Sequence, residues 1–184
     1  DSFVRRFKKP YVVIHRVDLH QVLLEACRAL PNVQMIANSA VKSFEDLGDR
    51  VRVELTNGKH HEGAALIGAD GIRSTIRQQM RNEGPPRSLG YVAHRTIVPM
   101  SDVNFDVDTE NVVMWSGDGF HIVHYPLRDH TLFNVVTVFK TLDMAPTDSD
   151  SPHPDLARVY RDSHPTMKKL WGMMDLSRRG WVSH

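Results

Sequence analysis

Two side chains that could move a proton lie four residues apart in the string GFHIVHYPL, which is predicted to form a β-strand. Because side chains alternate along a strand, His121 and Tyr125 share one face and His124 points to the other. A neutral histidine accepts a phenolic proton near physiological pH, and a tyrosine can hold a substrate oxygen by a hydrogen bond. The pair is therefore either an acid/base pair suited to an aromatic substrate, or a half-buried histidine beside a packing tyrosine.

A second stretch with chemical potential is GADGIRSTIR at residues 68–77, which follows an apolar run at residues 64–67. This order predicts a buried strand, a tight turn and a short helix that ends near Met80. Unpaired N–H groups at the start of such a helix attract a carboxylate or a phosphate, and Gly71 lets a ligand approach the backbone closely. Asp70 is then either the cap of that helix or a ligand contact.

Two arginines occupy positions where a cation is unfavourable unless it is solvated or paired. Arg16 precedes a predicted helix over 17–30, where a positive charge opposes the helix dipole. Arg95 lies within an apolar strand pattern over 90–100. Each is either a solvated side chain or the partner of an anion.

The composition argues against several classes of function. The 184 residues carry 23 Lys and Arg against 22 Asp and Glu without a dense basic block, so neither nucleic acid nor a membrane surface is an expected partner. Cys27 is the only cysteine, which excludes an intrachain disulfide and a cysteine-based zinc site and favours a reducing cytoplasm. We expect no metal site, and no apolar run approaches the roughly 18 residues of a membrane span.

The elements that must position these side chains fall on two sides of a linker at residues 82–88, and we place the domain boundary between residues 87 and 88. Before the linker, the pattern predicts strands at 11–14, 33–36, 40–44, 51–55 and 64–67. After it, the pattern predicts a sheet of strands at 90–100, 111–115, 120–126 and 131–140. A polar loop at 141–152 and helices near 154–163 and 166–175 follow. The expected fold class is α/β, in the broader sense α+β.

The motifs carry a resemblance to a known family. GADG with Ser74 and Arg77 resembles the second fingerprint of the FAD-dependent aromatic hydroxylases, the group A flavoprotein monooxygenases of the p-hydroxybenzoate hydroxylase fold. HRVDLHQVLLEA is similar to the segment where this family places an arginine on the phosphate and ribose side of the flavin. GFHIVHYPLRDHTLFNVV resembles the substrate-domain strands of the branch that contains 3-hydroxybenzoate 6-hydroxylase, salicylate hydroxylase and 6-hydroxynicotinate monooxygenase.

The resemblance implies a monooxygenase that hydroxylates a hydroxybenzoate-like aromatic acid with NAD(P)H and O₂ through a C4a-hydroperoxyflavin. It implies that residues 1–87 are part of a Rossmann-like FAD-binding domain with a β-meander and that residues 88–184 are an incomplete substrate-binding domain. The implied FAD contacts are Arg16, Val41, Asp70 and Gly71. The implied substrate contacts are Arg95, His121 as catalytic base, and Tyr125 as an orienting hydrogen-bond donor. Ser74 and Arg77 are expected to stabilise the turn.

Two motifs of the family are absent from this sequence: GxGxxG after an initial strand, and a later Gly-Asp-Ala-Ala-His-Pro segment. In the family the first cradles the FAD diphosphate on a helix N-terminus, and the second contacts the ribityl chain and the diphosphate. We therefore expect the chain to be the middle of a longer polypeptide and to bind FAD poorly by itself. Two alternatives stay open: an FAD-dependent reductase or halogenase of the same fold, and a catalytically silent truncated fragment.

Overall fold

The computed structural model describes residues 2–82, 84–87, 89–140, 161, 163–174 and 182–183. The helices are α1 (Ser2–Phe7), α2 (Arg16–Arg28), α3 (Thr75–Arg81) and α4 (Pro165–Gly172), with a 3₁₀ turn at Met100–Asp102. The strands are β1 (Val41–Asp46), β2 (Val51–Leu55), β3 (His60–Gly63), β4 (Tyr91–Pro99), β5 (Val113–Gly117), β6 (Phe120–Leu127), β7 (Leu132–Lys140) and β8 (Val182–Ser183). This mixture of helices and antiparallel sheets confirms the expected α+β class. The predicted loop at 141–152, and the predicted helix at 154–163 except for residues 161 and 163, lie outside the described residues.

The chain divides into two compact units. The meander unit is Leu24–Arg87, and the cavity unit is Asp1–Leu23 together with Ser88–His184. The assignment of an FAD-binding part to residues 1–87 and a substrate-binding part to residues 88–184 remains a prediction.

The meander unit contains a three-stranded antiparallel sheet in the order β1-β2-β3. Left-handed glycines make the two connecting turns, with φ of +89° at Gly48 and +80° at Gly58, a region that residues with a Cβ rarely adopt. Helix α3 is fastened to β1 by Gln79, whose Oε1 accepts a hydrogen bond from Phe44 N over 2.9 Å and whose Nε2 donates to Phe44 O. The sheet confirms the part of the predicted meander formed by the strands at 40–44 and 51–55, whereas its third strand is β3 and not a strand at 33–36 or 64–67.

Three predicted strands, at residues 11–14, 33–36 and 64–67, are wrong, because none of these segments joins a ladder in the described part of the chain. Their apolar side chains remain largely exposed, with Ile67 88% and Val12 73% exposed. A strand exists only where a neighbouring strand accepts and donates its backbone hydrogen bonds. An apolar run indicates that a segment tends to be buried, but the run does not supply that neighbour.

The cavity unit contains a five-stranded antiparallel sheet in the order β5-β6-β7-β4-β8. The four long strands confirm the sequence prediction to within two residues at each end. Strand β7 lies between β6 and β4 and is almost entirely buried, as its apolar sequence predicts. One face of the sheet packs against α4 and the residues after it through a core of Ile122, Phe133, Val135, Phe139, Met167, Leu170 and Met174.

His124 lies on this core face of β6 and is completely buried. Its Nε2 accepts a hydrogen bond from Trp115 Nε1 over 3.0 Å, which only an unprotonated Nε2 can do. Burial lowers the pKa of His124 below its ordinary value, and the nearby Asp108 carboxylate opposes this shift only in part. The folded protein therefore keeps His124 neutral at a pH where the unfolded chain binds a proton.

We expect the free energy of unfolding to fall as the pH decreases below about 6.5. In this range His124 binds a proton in the unfolded state, but the buried His124 of the folded state does not. The loss continues until the lowered pKa of the folded state is passed. His124→Phe is expected to flatten this dependence in urea unfolding compared between pH 7.5 and 5.5. The matched control is His130→Gln, since the His130 side chain is 48% exposed. An unchanged pH dependence in His124→Phe would contradict the assignment.

Candidate active site

A cavity of about 750 Å³ lies within the cavity unit, a volume suited to a small organic molecule. Its walls come from the residues before α2, the start of α2, strands β4, β6 and β7, and Met173 after α4. The polar lining side chains are His15, Arg16, Arg95, Thr96, Asp102, Tyr125 and Asn134. The structure thus brings three of the sequence-predicted site residues, Arg16, Arg95 and Tyr125, to one cavity.

The strand register explains how one row of side chains comes to line this cavity. Tyr125 on β6 pairs with Asn134 on β7, and Asn134 pairs with Ile97 on β4. Paired residues on neighbouring strands present their side chains on the same face. Arg95 precedes Ile97 by two residues and therefore lies on that face one row away.

The two arginines of the cavity have no ion-pair partner among the residues that the structure describes. Arg16 and Arg95 are both exposed, and Asp102 is the one carboxylate in the described lining. The first-turn acid of α2, Asp18, binds Arg128 instead, through hydrogen bonds of 2.9 and 2.6 Å. The cavity therefore carries an excess of positive charge and suits an anion.

His121 shares the sheet face of Tyr125 but does not line the cavity. It pairs with Val138 on β7, two rows away from the row of Tyr125 and Asn134. Because each residue of a strand advances about 3.3 Å, the four-residue step places the backbones of His121 and Tyr125 about 13 Å apart. Side chains at this separation can contact opposite ends of one small molecule, but they cannot exchange a proton directly.

In the meander unit, the turn before α3 is held by its own side chains. Ser74 caps the helix, with its Oγ accepting a hydrogen bond from Arg77 N over 2.9 Å. Asp70 accepts from Ser74 Oγ over 2.6 Å and from Ile76 N over 3.2 Å. The Ser74 hydrogen bond holds the pKa of the Asp70 carboxyl below its usual value. The Arg77 guanidinium donates to the carbonyl oxygen of Ile72, so this arginine also stabilises the turn.

Ser74→Ala is expected to lower the free energy of unfolding by about 1 kcal/mol, the usual cost of losing a side-chain cap. It should also raise the pKa of Asp70 toward its ordinary value, because the hydroxyl that stabilises the carboxylate is gone. Urea unfolding measures the first effect, and NMR titration of the Asp70 carboxyl measures the second. Ser116→Ala, at an exposed position on β5, is the control. Equal stability of the two variants would refute the cap.

Residues 5–161 match the family described as FAD binding domain. The chain belongs to this family. The resemblance found in the sequence motifs is thereby confirmed. None of the helices in the described part of the chain has both the length and the hydropathy of a membrane span.

Several characterised proteins are similar to this family member. It is 39% identical over 136 residues to 3-hydroxybenzoate 6-hydroxylase 1 of Aquipseudomonas alcaligenes, a match that covers 74% of this chain and 34% of the relative. It is 31% identical over 170 residues to 3-hydroxybenzoate 6-hydroxylase of Klebsiella oxytoca, covering 92% of this chain and 43% of the relative. The chain thus spans roughly a third to a half of the length of such relatives.

Solved structures share the fold of this family member. Klebsiella pneumoniae HpxO, complexed with FAD and uric acid, superposes with a TM-score of 0.80 at 21% identity, over 100% of this chain and 46% of that one. A salicylate hydroxylase substrate complex superposes with a TM-score of 0.66 at 19% identity, over 88% of this chain and 44% of that one. The fold predicted from the family resemblance is confirmed.

The residues predicted to contact FAD fit that role in different ways. Arg16, in the cavity unit, has a guanidinium without an ion-pair partner among the described residues, as a phosphate contact requires. In the meander unit, Gly71 has φ of +77° and open space where a Cβ would lie, so its backbone is accessible. Val41 is the half-buried first residue of β1. Both carboxylate oxygens of Asp70 are already bonded, so it suits the role of shaping the turn better than that of a direct ligand.

Sequence reasoning missed four polar residues of the cavity, His15, Thr96, Asp102 and Asn134. His15 immediately precedes α2, and its Nδ1 accepts a hydrogen bond from Val17 N over 3.3 Å. Asn134 is 5% exposed in the centre of β7. A signal for Asn134 was present, because one amide inside the apolar string LFNVVTVF requires either a partner or a function.

Proposed function

We propose that the complete protein is a flavin-dependent monooxygenase that hydroxylates a hydroxybenzoate-like aromatic acid, using NAD(P)H and O₂. The observation that carries this proposal is the cavity in which Arg16 and Arg95, without ion-pair partners among the described residues, lie beside Tyr125. A flat acid with a carboxylate and a hydroxyl group suits this combination of charge, apolar wall and hydrogen-bond donor. The names of the hydroxybenzoate hydroxylase relatives support the same substrate class.

The roles of the protein's own residues follow from their places on the sheet. Arg95 pairs with the substrate carboxylate, and Tyr125 donates a hydrogen bond to the same end. His121, two rows away on the same face, takes the proton of the ring hydroxyl and so raises the electron density of the ring. The rows of His121 and Tyr125 are about 13 Å apart. A hydroxybenzoate that accepts or donates a hydrogen bond at each end is long enough to connect them.

FAD, when bound and reduced by NAD(P)H, would supply the activation of O₂, one atom of which enters the ring while the other leaves as water. In the cavity unit, Arg16 suits a phosphate of the cofactor. In the meander unit, the backbones at Val41 and Gly71 suit close approach of the cofactor, with Asp70 holding the turn. The aromatic acid and O₂ are the small-molecule partners. A single cysteine among 184 residues favours the cytoplasm as the place of action.

Visible absorption and oxygen consumption test this proposal. The complete gene product is expected to retain FAD with a bound-flavin spectrum, whereas the 184-residue chain binds added FAD weakly. With NADH or NADPH, the complete protein should consume O₂ faster when 3-hydroxybenzoate is added. A flavoprotein that oxidises NAD(P)H but leaves the aromatic acid unchanged would indicate a reductase. If neither the complete gene product nor the 184-residue chain binds flavin, the proposal is refuted.

A further inference from the structure

Asn134 carries a buried polar group that none of the residues described by the structure satisfies. The side chain lines the cavity and is 5% exposed. Its Nδ2 is buried without a hydrogen-bond partner among the residues that the structure describes. The large majority of buried side-chain polar groups in proteins are paired, because an unpaired donor loses its hydrogen bond to water without compensation. A buried amide without a hydrogen-bond partner at a cavity wall is suited to a ligand that supplies the missing acceptor.

The neighbours of Asn134 indicate what kind of ligand that is. Tyr125 lies directly opposite on β6, and Ile97 lies opposite on β4, so the amide is flanked by a phenol and an apolar side chain. Arg95, one row away, and Arg16 add positive charge to the same cavity. The Nδ2 group offers two N–H donors, and a carboxylate offers only acceptors. The surroundings therefore favour a carboxylate on an aromatic ring.

We propose that Asn134 is a specificity residue, whose Nδ2 donates a hydrogen bond to the carboxylate of the aromatic acid. This inference rests on the proposed function, since it names a further contact in the same site. Arg95 provides the attraction for the negative charge, while Asn134 fixes the direction of the carboxylate beside Tyr125. A site with a buried donor discriminates strongly against a ligand that lacks the matching acceptor, because the donor then stays unpaired.

The test compares two ligands and three variants of the complete, FAD-loaded protein. Dissociation constants for 3-hydroxybenzoate and for phenol, which lacks the carboxylate, are measured from the change in flavin absorbance. Asn134→Leu, close in volume but without donors, should raise the Kd for 3-hydroxybenzoate about tenfold to a hundredfold and leave that for phenol within about twofold. Asn134→Asp, which replaces the Nδ2 donor with an acceptor, should raise the Kd for 3-hydroxybenzoate at least as much as Asn134→Leu does.

Thr137→Val is the matched control, because Thr137 lies on the same strand but bonds Met174 Sδ in the core on the opposite face. It should leave both dissociation constants and the FAD content unchanged. Without ligand, Asn134→Leu should melt at or above the wild-type temperature, because it removes an unpaired buried amide. A lower melting temperature, or loss of FAD, would show that the amide has a structural or cofactor role and would overturn the inference.

The outcomes separate this inference from the proposed function. Suppose that the wild-type protein hydroxylates 3-hydroxybenzoate, but Asn134→Leu raises the Kd of both ligands equally or changes neither Kd. The role of Asn134 is then refuted and the proposed function stands. If the wild-type protein binds no aromatic acid, both are refuted.

Discussion

Replacing His121 with alanine in the complete, FAD-loaded protein is expected to lower kcat for hydroxylation of 3-hydroxybenzoate about 10²- to 10⁴-fold, the usual contribution of a positioned general base. Without the imidazole, the ring hydroxyl stays protonated and the ring is a poorer nucleophile. The rate of the variant should therefore rise with pH as the phenol ionises in solution. KM should change little, because Arg95 and Tyr125 bind the other end of the substrate.

A substrate whose phenol is largely ionised at neutral pH, such as a 3-hydroxybenzoate with several ring fluorines, should recover much of the lost activity in His121→Ala. The matched control is His130→Ala, a histidine in the turn between β6 and β7 whose side chain is 48% exposed. If His121→Ala keeps the wild-type kcat and pH profile, His121 is not the base.

Replacing Arg95 with methionine is expected to raise KM for 3-hydroxybenzoate about tenfold to a hundredfold. A hydrogen bond to a charged group contributes about 1.5–3 kcal/mol, and each 1.4 kcal/mol corresponds to a factor of ten. Arg95→Lys should raise KM for 3-hydroxybenzoate less than Arg95→Met does, because the positive charge remains. KM should still exceed the wild-type value, because an ammonium lacks the planar guanidinium that binds a carboxylate through two hydrogen bonds.

The readout for Arg95 is steady-state kinetics with 3-hydroxybenzoate, together with binding of phenol, which should be insensitive to the change. Arg52→Met, which removes a half-buried arginine paired with Glu62 on the three-stranded sheet, serves as the control for loss of one positive charge. Equal KM values in Arg95→Met and wild-type protein would place the substrate carboxylate elsewhere.

Period-two alternation was enough to predict much of the cavity unit. It placed His121 and Tyr125 on one face of β6, and the structure agrees. The glycines of Gly117-Asp118-Gly119 are typical of a turn, and β5 and β6 pair as a hairpin on either side of it. Alternation is a local property of the backbone, so it transfers from sequence to structure without knowledge of the neighbours. It does not give the register, which is why the distance between His121 and the cavity was not predictable.

Three features depended on contacts that the sequence pattern does not contain. The apolar run at 64–67 predicted a buried strand, but burial needs a covering element as well as apolar side chains. Asp70 could have been a cap or a ligand, and only the bonds from Ser74 and Ile76 distinguish the two. Asn134 lines the cavity because β7 lies between β6 and β4, which is a matter of strand order and register.

The measurement that tests the central claim most directly is the fate of oxygen-18 gas in the complete, FAD-loaded protein supplied with NADH or NADPH and 3-hydroxybenzoate. Mass spectrometry of the aromatic product should show one added oxygen atom derived from the labelled gas, and one reduced nicotinamide consumed for each product formed. Oxidation of NAD(P)H that yields only hydrogen peroxide, with the aromatic acid recovered unlabelled over a panel of hydroxybenzoates, would contradict the assignment of ring hydroxylation to this cavity.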